Sequence, residues 1–157
     1  MNNKINPGIL LRKSCFAADI YGSEEYPQLH GRISFYRACH GSIITAEISG
    51  LPSANGVYAM HIHNGTACTG NANDPFADSG THLDLTNSEH PYHTGDLPPI
   101  FSNNGYAWSA VYTDRFTPEQ VKDRTIIIHK APDDFHTQPS GNAGVKIACG
   151  VIKNLSK

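Results

Sequence analysis

Apolar and polar residues alternate with a period of two along much of this chain, the period of a strand with one covered face. The clearest case is residues 43–49, where Ile44, Ala46 and Ile48 alternate with Thr45, Glu47 and Ser49. Further β-prone runs occupy residues 14–21, 32–38, 57–63, 96–101, 106–113, 125–129 and 145–152, and turn-rich pieces at 22–31, 39–42 and 51–56 separate the first four. Asn103, Asn104 and Gly105 predict a hairpin between the fifth and sixth strands, because Asn and Gly tolerate positive φ. Thr117, Pro118, Glu119 and Gln120 form a capping box with Pro at the first helical position, which predicts one short helical turn before Asp123 and no other helix. Eight strands with long connections after the fourth and the seventh predict an all-β chain, an eight-stranded Greek-key barrel or immunoglobulin-like sandwich.

Composition narrows the setting. A chain of 157 residues with 39% hydrophobic residues suits one domain over residues 1–157, with residues 1–13 read as a flexible N-terminal extension. The 14 Gly and 10 Pro agree with many turns. A formal net charge of −2 carries no global basic field, so nucleic acid is not an expected partner. No run of eighteen apolar residues exists, and no membrane span is expected. The apolar run Ile9, Leu10, Leu11 is too short for a signal peptide, so the chain as written reads as cytoplasmic, or as secreted or periplasmic if it is a processed form. Four cysteines do not set the compartment by themselves. Cys15 and Cys39 read as buried or semi-buried free thiols, and Tyr106, Trp108 and Tyr112 as core or interface residues.

The candidate chemistry lies in residues 60–96, which hold His61, His63, His82, His90, His93 and Asp96 among Gly, Asn, Asp and Pro. His61 and His63 flank Ile62 at the end of a strand, so both imidazoles leave one face. Residues 64–95 have little periodicity, and an irregular loop of that length needs a functional reason or an internal staple. Imidazole with carboxylate is a ligand set suited to zinc and copper. His30 and His40 read as surface histidines, and His136 as either an additional ligand or an exposed residue. Lys146 taken alone is a strand-end charge.

Ordered blocks connect these residues to a family. His61, Ile62, His63; Gly80, Thr81, His82; Gly95, Asp96, Leu97; His129, Lys130, Ala131 with Asp133, Asp134; and Gly141, Asn142, Ala143, Gly144 leading into Ala148, Cys149, Gly150, Val151, Ile152 follow one another as in the Cu/Zn superoxide dismutases. From about residue 30 to its end the chain resembles that family, in a bacterial-like form with shortened zinc and electrostatic loops. The resemblance implies an eight-stranded Greek-key β-barrel with both metals held outside it by loops. It implies copper on His61, His63, His82 and His129, and zinc on His82, His90, His93 and Asp96, with His82 shared. An imidazole bridges two cations only when both nitrogens are deprotonated, and two flanking dications stabilise that form.

The implied reaction is disproportionation of superoxide to O₂ and H₂O₂ as copper alternates between +2 and +1, with His82 taking up and delivering a proton and zinc doing no redox chemistry. Asp133 would accept hydrogen bonds from His61 and His90, and such outer carboxylates fix the tautomer of a ligand. Cys68 and Cys149 match the family's intrasubunit disulfide. Where the family has Arg, this chain has Lys146, which keeps the charge that draws in the superoxide anion but loses the planar fork, so reduced activity is expected. Only Pro91 and Tyr92 separate His90 from His93, and the stretch between His129 and Lys146 is also trimmed. The family dimerises through more than one surface, so a homodimer is admitted without a specified face. The rival reading is a non-enzymatic copper- or zinc-binding protein of the same fold. A β-sandwich interaction module with structural zinc is the more distant one.

Overall fold

Hydrogen bonding joins the strands in the order β5-β4-β7-β8-β1-β2-β3-β6 in the computed structural model, which describes residues 13–155. The strands are β1 (Phe16–Gly22), β2 (His30–Ala38), β3 (Gly41–Ser49), β4 (Val57–His63), β5 (Asp96–Phe101), β6 (Tyr106–Thr113), β7 (Thr125–His129) and β8 (Lys146–Val151). All pairings are antiparallel. The hairpin at Asn103–Gly105 brings β5 and β6, the two ends of that order, side by side, so the sheet is a nearly closed barrel. Of the N-terminal stretch expected to be an extension, all but Lys13 lies outside the described residues.

Strand limits depart from the sequence expectation mainly in the second hairpin. Pairing of β2 with β3 runs from His30–Ser49 to Ala38–Gly41, so both strands begin two residues earlier than the alternation suggested. Past Ile152 the chain continues as a two-residue strand, β9 (Lys153–Asn154), paired with the start of β1. The expected helical turn exists as a 3₁₀ turn over Pro118–Val121, with Gln120 Oε1 accepting the Thr117 N–H at 2.8 Å. A second 3₁₀ turn, Ala77–Ser79, was not expected, because no side-chain cap marks it at Phe76.

Inside the barrel, residues such as Ile20, Ile33, Phe35, Ile48, Met60 and Ile126 are fully buried, each contributing roughly 1.5–3 kcal/mol by leaving water. Strand β4 lies between β5 and β7 and is covered on both faces. Tyr58, Met60 and Ile62 point into the core, which leaves Ala59, His61 and His63 on the outer face, under the loops. Beside it, Ile126 and Ile128 of β7 point inward, while Ile127 packs outside against Phe76, Cys68 and Cys149.

The long connection of residues 64–95 folds back along β4. Backbone bonds Asn64 N–H to Thr81 O at 2.9 Å, Leu83 N–H to Ile62 O at 2.8 Å and Ile62 N–H to Gly95 O at 2.9 Å hold it there. The Cys68–Cys149 disulfide ties its start to β8, with Cα atoms 5.7 Å apart.

One expectation is narrowed and another corrected. Tyr106, Trp108 and Tyr112 are 39%, 58% and 42% exposed, since β6 turns Ala107 inward and these aromatics outward; they are not core residues. Cys39 is exposed at the turn between β2 and β3, whereas Cys15 is half-buried with its Sγ 3.3 Å from Phe35 O.

Candidate metal centre

Adjacent strands and one loop assemble the first cluster. His61 and His63 come from β4 and His129 from the end of β7, while His82 is brought over them by the loop, bridging His63 through the backbone. His61, His63, His82 and His129 each offer a ring nitrogen within 4.8 Å of the others. His82, His90, His93 and Asp96 form a second such group, so His82 belongs to both. His136 is exposed and stands outside both groups, and His30 and His40 lie on the surface.

Hydrogen bonds decide which nitrogen of each ring is bare. His63 Nδ1–H donates to Gly80 O at 2.9 Å and His129 Nδ1–H to Gly144 O at 3.1 Å, which leaves both Nε2 atoms unprotonated. Those two Nε2 atoms lie 3.3 Å apart, lone pair toward lone pair. His61 Nε2–H donates to Asp133 Oδ2 at 2.8 Å and His90 Nε2–H to Asp133 Oδ1 at 2.9 Å, which leaves their Nδ1 atoms bare. His90 Nδ1 and His93 Nδ1 face Asp96 Oδ2 at 3.0 and 3.2 Å, and His82 Nδ1 lies 2.7 Å from Asp96 Oδ1. His61 Nδ1, His82 Nε2, His90 Nδ1 and His93 Nδ1 are buried without any hydrogen-bond partner. Acceptors that converge on acceptors in a dry site are costly unless a cation lies between them. The donor set therefore fits two metal ions, one on each side of the His82 ring.

Burial sets the charge state of these groups. It pushes His63 down to about 2 and His129 down to about 3, the carbonyl bonds of Gly80 and Gly144 offsetting only part of the effect. His82 is lowered by burial too, against the opposing pull of Asp96. Burial alone would raise Asp133 and Asp96, but the His61 and His90 bonds and the Phe135 N–H outweigh it at Asp133, and His82, His90 and His93 outweigh it at Asp96. Neutral imidazoles and ionised carboxylates are the forms a metal needs.

Above the first cluster opens a cleft of about 530 Å³, lined by His63, His82, His129, Thr81, Asp74 and Lys146 among others. Lys146 pairs with His129 across β7 and β8, which sets it at the cleft wall. Its ammonium is not free: Nζ donates to Asp74 Oδ2 at 2.8 Å and to Phe76 O at 3.1 Å. Burial alone raises the Asp74 carboxyl, yet the Lys146 ammonium and the Phe76 N–H hold it below the usual carboxylate range. Asp74 was not singled out in the sequence, where it reads as one more turn residue between Asn71 and Pro75. Gly141, with φ at 65°, lets the backbone pass the Asp133 carboxylate; a Cβ there would lie 1.9 Å from Oδ1.

A barrel that carries two candidate metal-ligand groups sharing one imidazole fits one class, the β-barrel proteins with room for two metal ions side by side. Residues 29–152 match the family model described as copper/zinc superoxide dismutase, and the chain belongs to that family. A Cu-Zn superoxide dismutase from Legionella pneumophila is 32% identical over 142 residues, covering 87% of this chain and 85% of that protein. One from Aquifex aeolicus is 30% identical over 162 residues, covering 92% and 94%. Among solved structures, the Cu/Zn superoxide dismutase from Brucella abortus superposes with a TM-score of 0.75 at 24% identity over 86% of this chain and 97% of that one. A SOD-like protein from Bacillus subtilis gives 0.72 at 24% identity over 86% and 96%. Both share the fold.

Proposed function

We propose that this chain carries out the reaction its family is named for, the disproportionation of superoxide to O₂ and H₂O₂, at the cleft lined by His63, His82, His129 and Lys146. The observation that carries the reading is the placement of His82, whose Nδ1 joins one ligand group and whose bare, buried Nε2 joins the other. Copper belongs on His61, His63, His82 and His129, and zinc on His82, His90, His93 and Asp96. Bound there, copper supplies one-electron redox chemistry, and zinc supplies charge and geometry without redox chemistry.

The chain's own residues do the rest. Gly80 O and Gly144 O fix His63 and His129 in the tautomer that keeps Nε2 bare, and Asp133 does the same for His61 and His90 through their Nε2–H groups. His82, which lines the cleft, can hold a proton on Nε2, the nitrogen without a hydrogen-bond partner, and release it toward an anion bound beside His63 and His129. Lys146 supplies the positive charge at the entrance that favours an anionic substrate, reduced by the Asp74 carboxylate it touches. An oxidising compartment favours the Cys68–Cys149 bond, which points to a secreted or periplasmic location, checked by thiol labelling after cell fractionation.

The test is a superoxide decay assay on protein loaded with copper and zinc and freed of loose metal. Wild type should accelerate decay well above the free-copper background, and His61→Ala should abolish the acceleration. A wild type with full metal content and no acceleration would leave metal binding as the only function.

A further inference from the structure

Only Pro91 and Tyr92 separate His90 from His93, so a stretch too short to form its own scaffold must be shaped from outside. Within it, the Tyr92 N–H reaches Glu89 O at 2.8 Å, and the His93 N–H caps onto Asp96 Oδ2 at 3.0 Å. Three further contacts come from one nitrogen of a residue on the connection between β6 and β7. Arg115 Nη1 lies 3.0 Å from Pro91 O, 3.1 Å from His93 O and 3.2 Å from Asp96 O. Two of those carbonyls belong to members of the second ligand group, and the third follows His90.

Arg115 is well placed to hold this geometry. The next residue, Phe116, is buried in the core, and Ser42 Oγ–H donates to its carbonyl at 2.9 Å, so the base of the arginine is anchored to the barrel. A second segment grips the other side of the turn. Gln138, on the connection between β7 and β8, accepts the His90 N–H at 3.0 Å on Oε1 and donates Nε2–H to His90 O at 2.6 Å. His90 is thus fixed at its ring by Asp133 and at its backbone by Gln138, while Arg115 gathers the carbonyls that follow.

We infer that Arg115 and Gln138 are positioning residues for zinc, taking over the shaping that a longer loop would supply and pre-organising His90, His93 and Asp96 around one ion. Neither side chain belongs to either ligand group. Arg115 acts through the carbonyls of the ligand-bearing turn and Gln138 through the backbone of His90, and their bond requirements differ. Arg115 brings one cationic nitrogen, Nη1, to three carbonyls that share its two N–H groups, so the shorter lysine, which keeps the charge but not the reach, should restore only part of its effect. Gln138 needs a donor and an acceptor on one planar amide, so Glu cannot replace it.

The inference rests on the zinc assignment proposed above, and the experiment separates the two. Metal-free protein is titrated with Co(II), the visible band reporting a four-ligand site, and zinc affinity is read by competition against a chromophoric chelator. His93→Ala serves as the control for the site itself. Arg115→Met and Gln138→Ala are each expected to weaken zinc binding by about 10-fold or more, in the range seen when outer partners of metal ligands are removed. Arg115→Lys should fall between wild type and Arg115→Met. Copper affinity and the thermal midpoint of the metal-free protein should stay close to wild type, which a merely structural role would not predict. Arg115→Met and Gln138→Ala lie on different segments, so loss of folding in one leaves the other to decide. Wild-type zinc affinity in a folded variant, with the band still removed by His93→Ala, would overturn the inference and leave the zinc site standing. A band insensitive to His93→Ala would overturn both.

Discussion

Reducing the Cys68–Cys149 bond in the metal-free protein should lower its unfolding free energy by about 4.5 kcal/mol, the chain-entropy value for a closed loop whose ends are 81 residues apart. The bond acts mainly on the unfolded chain, where it forbids the open conformations of more than half the sequence. Its native surroundings add little to that figure when both sulfurs are retained, because Cys149 is buried against Phe76 and Ile127 whether or not the bond exists. Reduction is therefore a cleaner perturbation than substitution. A Cys149→Ser variant would bury a hydroxyl among apolar neighbours and add a cost of its own.

The assay is urea unfolding of oxidised and reduced wild type with a chelator present, since metal bound only to the native state would raise both midpoints and mask the difference. For a chain of this size the same loss lowers the thermal midpoint by roughly 9–18 °C. A difference between the two forms of less than about 1 kcal/mol would refute the reasoning, because it would mean that the unfolded chain is already compact around this link. A second readout is local. With the bond open, residues 64–79 should exchange amide hydrogens faster than β4, to which the rest of the loop is bonded.

Three other outcomes are expected. Asp74→Asn removes the carboxylate that pairs with Lys146, so the superoxide decay rate should rise severalfold at low ionic strength and fall more steeply with added salt; an unchanged or lower rate would show that the pair serves to hold Lys146 in place. Asp133→Asn leaves His61 and His90 sharing one amide oxygen in place of a carboxylate, and should weaken both copper and zinc binding by about 10–100-fold in chelator competition, whereas loss confined to one metal would contradict its bridging role. In the metal-free protein His63 and His129 stay neutral down to about pH 2 and 3, while in the unfolded chain they take up protons below about 6.5. The unfolded state then binds more protons, so stability should be level above about pH 7 and fall below 6.5 by up to about 1.4 kcal/mol per pH unit for each histidine. Urea midpoints that do not change between pH 7.5 and 5.5 would refute this.

Much of the barrel was legible in local pattern. Alternation in β3 and the apolar run of β4 mark strands because a half-buried sheet needs period two, and Asn103–Gly105 marks a hairpin because its turn needs positive φ; Asn104 and Gly105 indeed adopt φ of 55° and 78°. The aromatic residues of β6 stood open between core and interface because type alone does not say which face of a strand is covered, and it is the inward turn of Ala107 that removes the core alternative.

By itself the sequence determined the strands, the pairing of His61 and His63 on one face, and the set of imidazoles and carboxylates available to a metal, since each depends on residue type and short-range periodicity. Only the tertiary structure decided how those groups are held. Asp74 meets Lys146 across 72 residues, Gln138 meets His90 across 48, and Arg115 reaches the carbonyls of Pro91, His93 and Asp96 from another connection. Each of these contacts brings a side chain on an irregular connection to a group far along the chain. They follow no period, and what brings them together is the closure of the barrel beneath them.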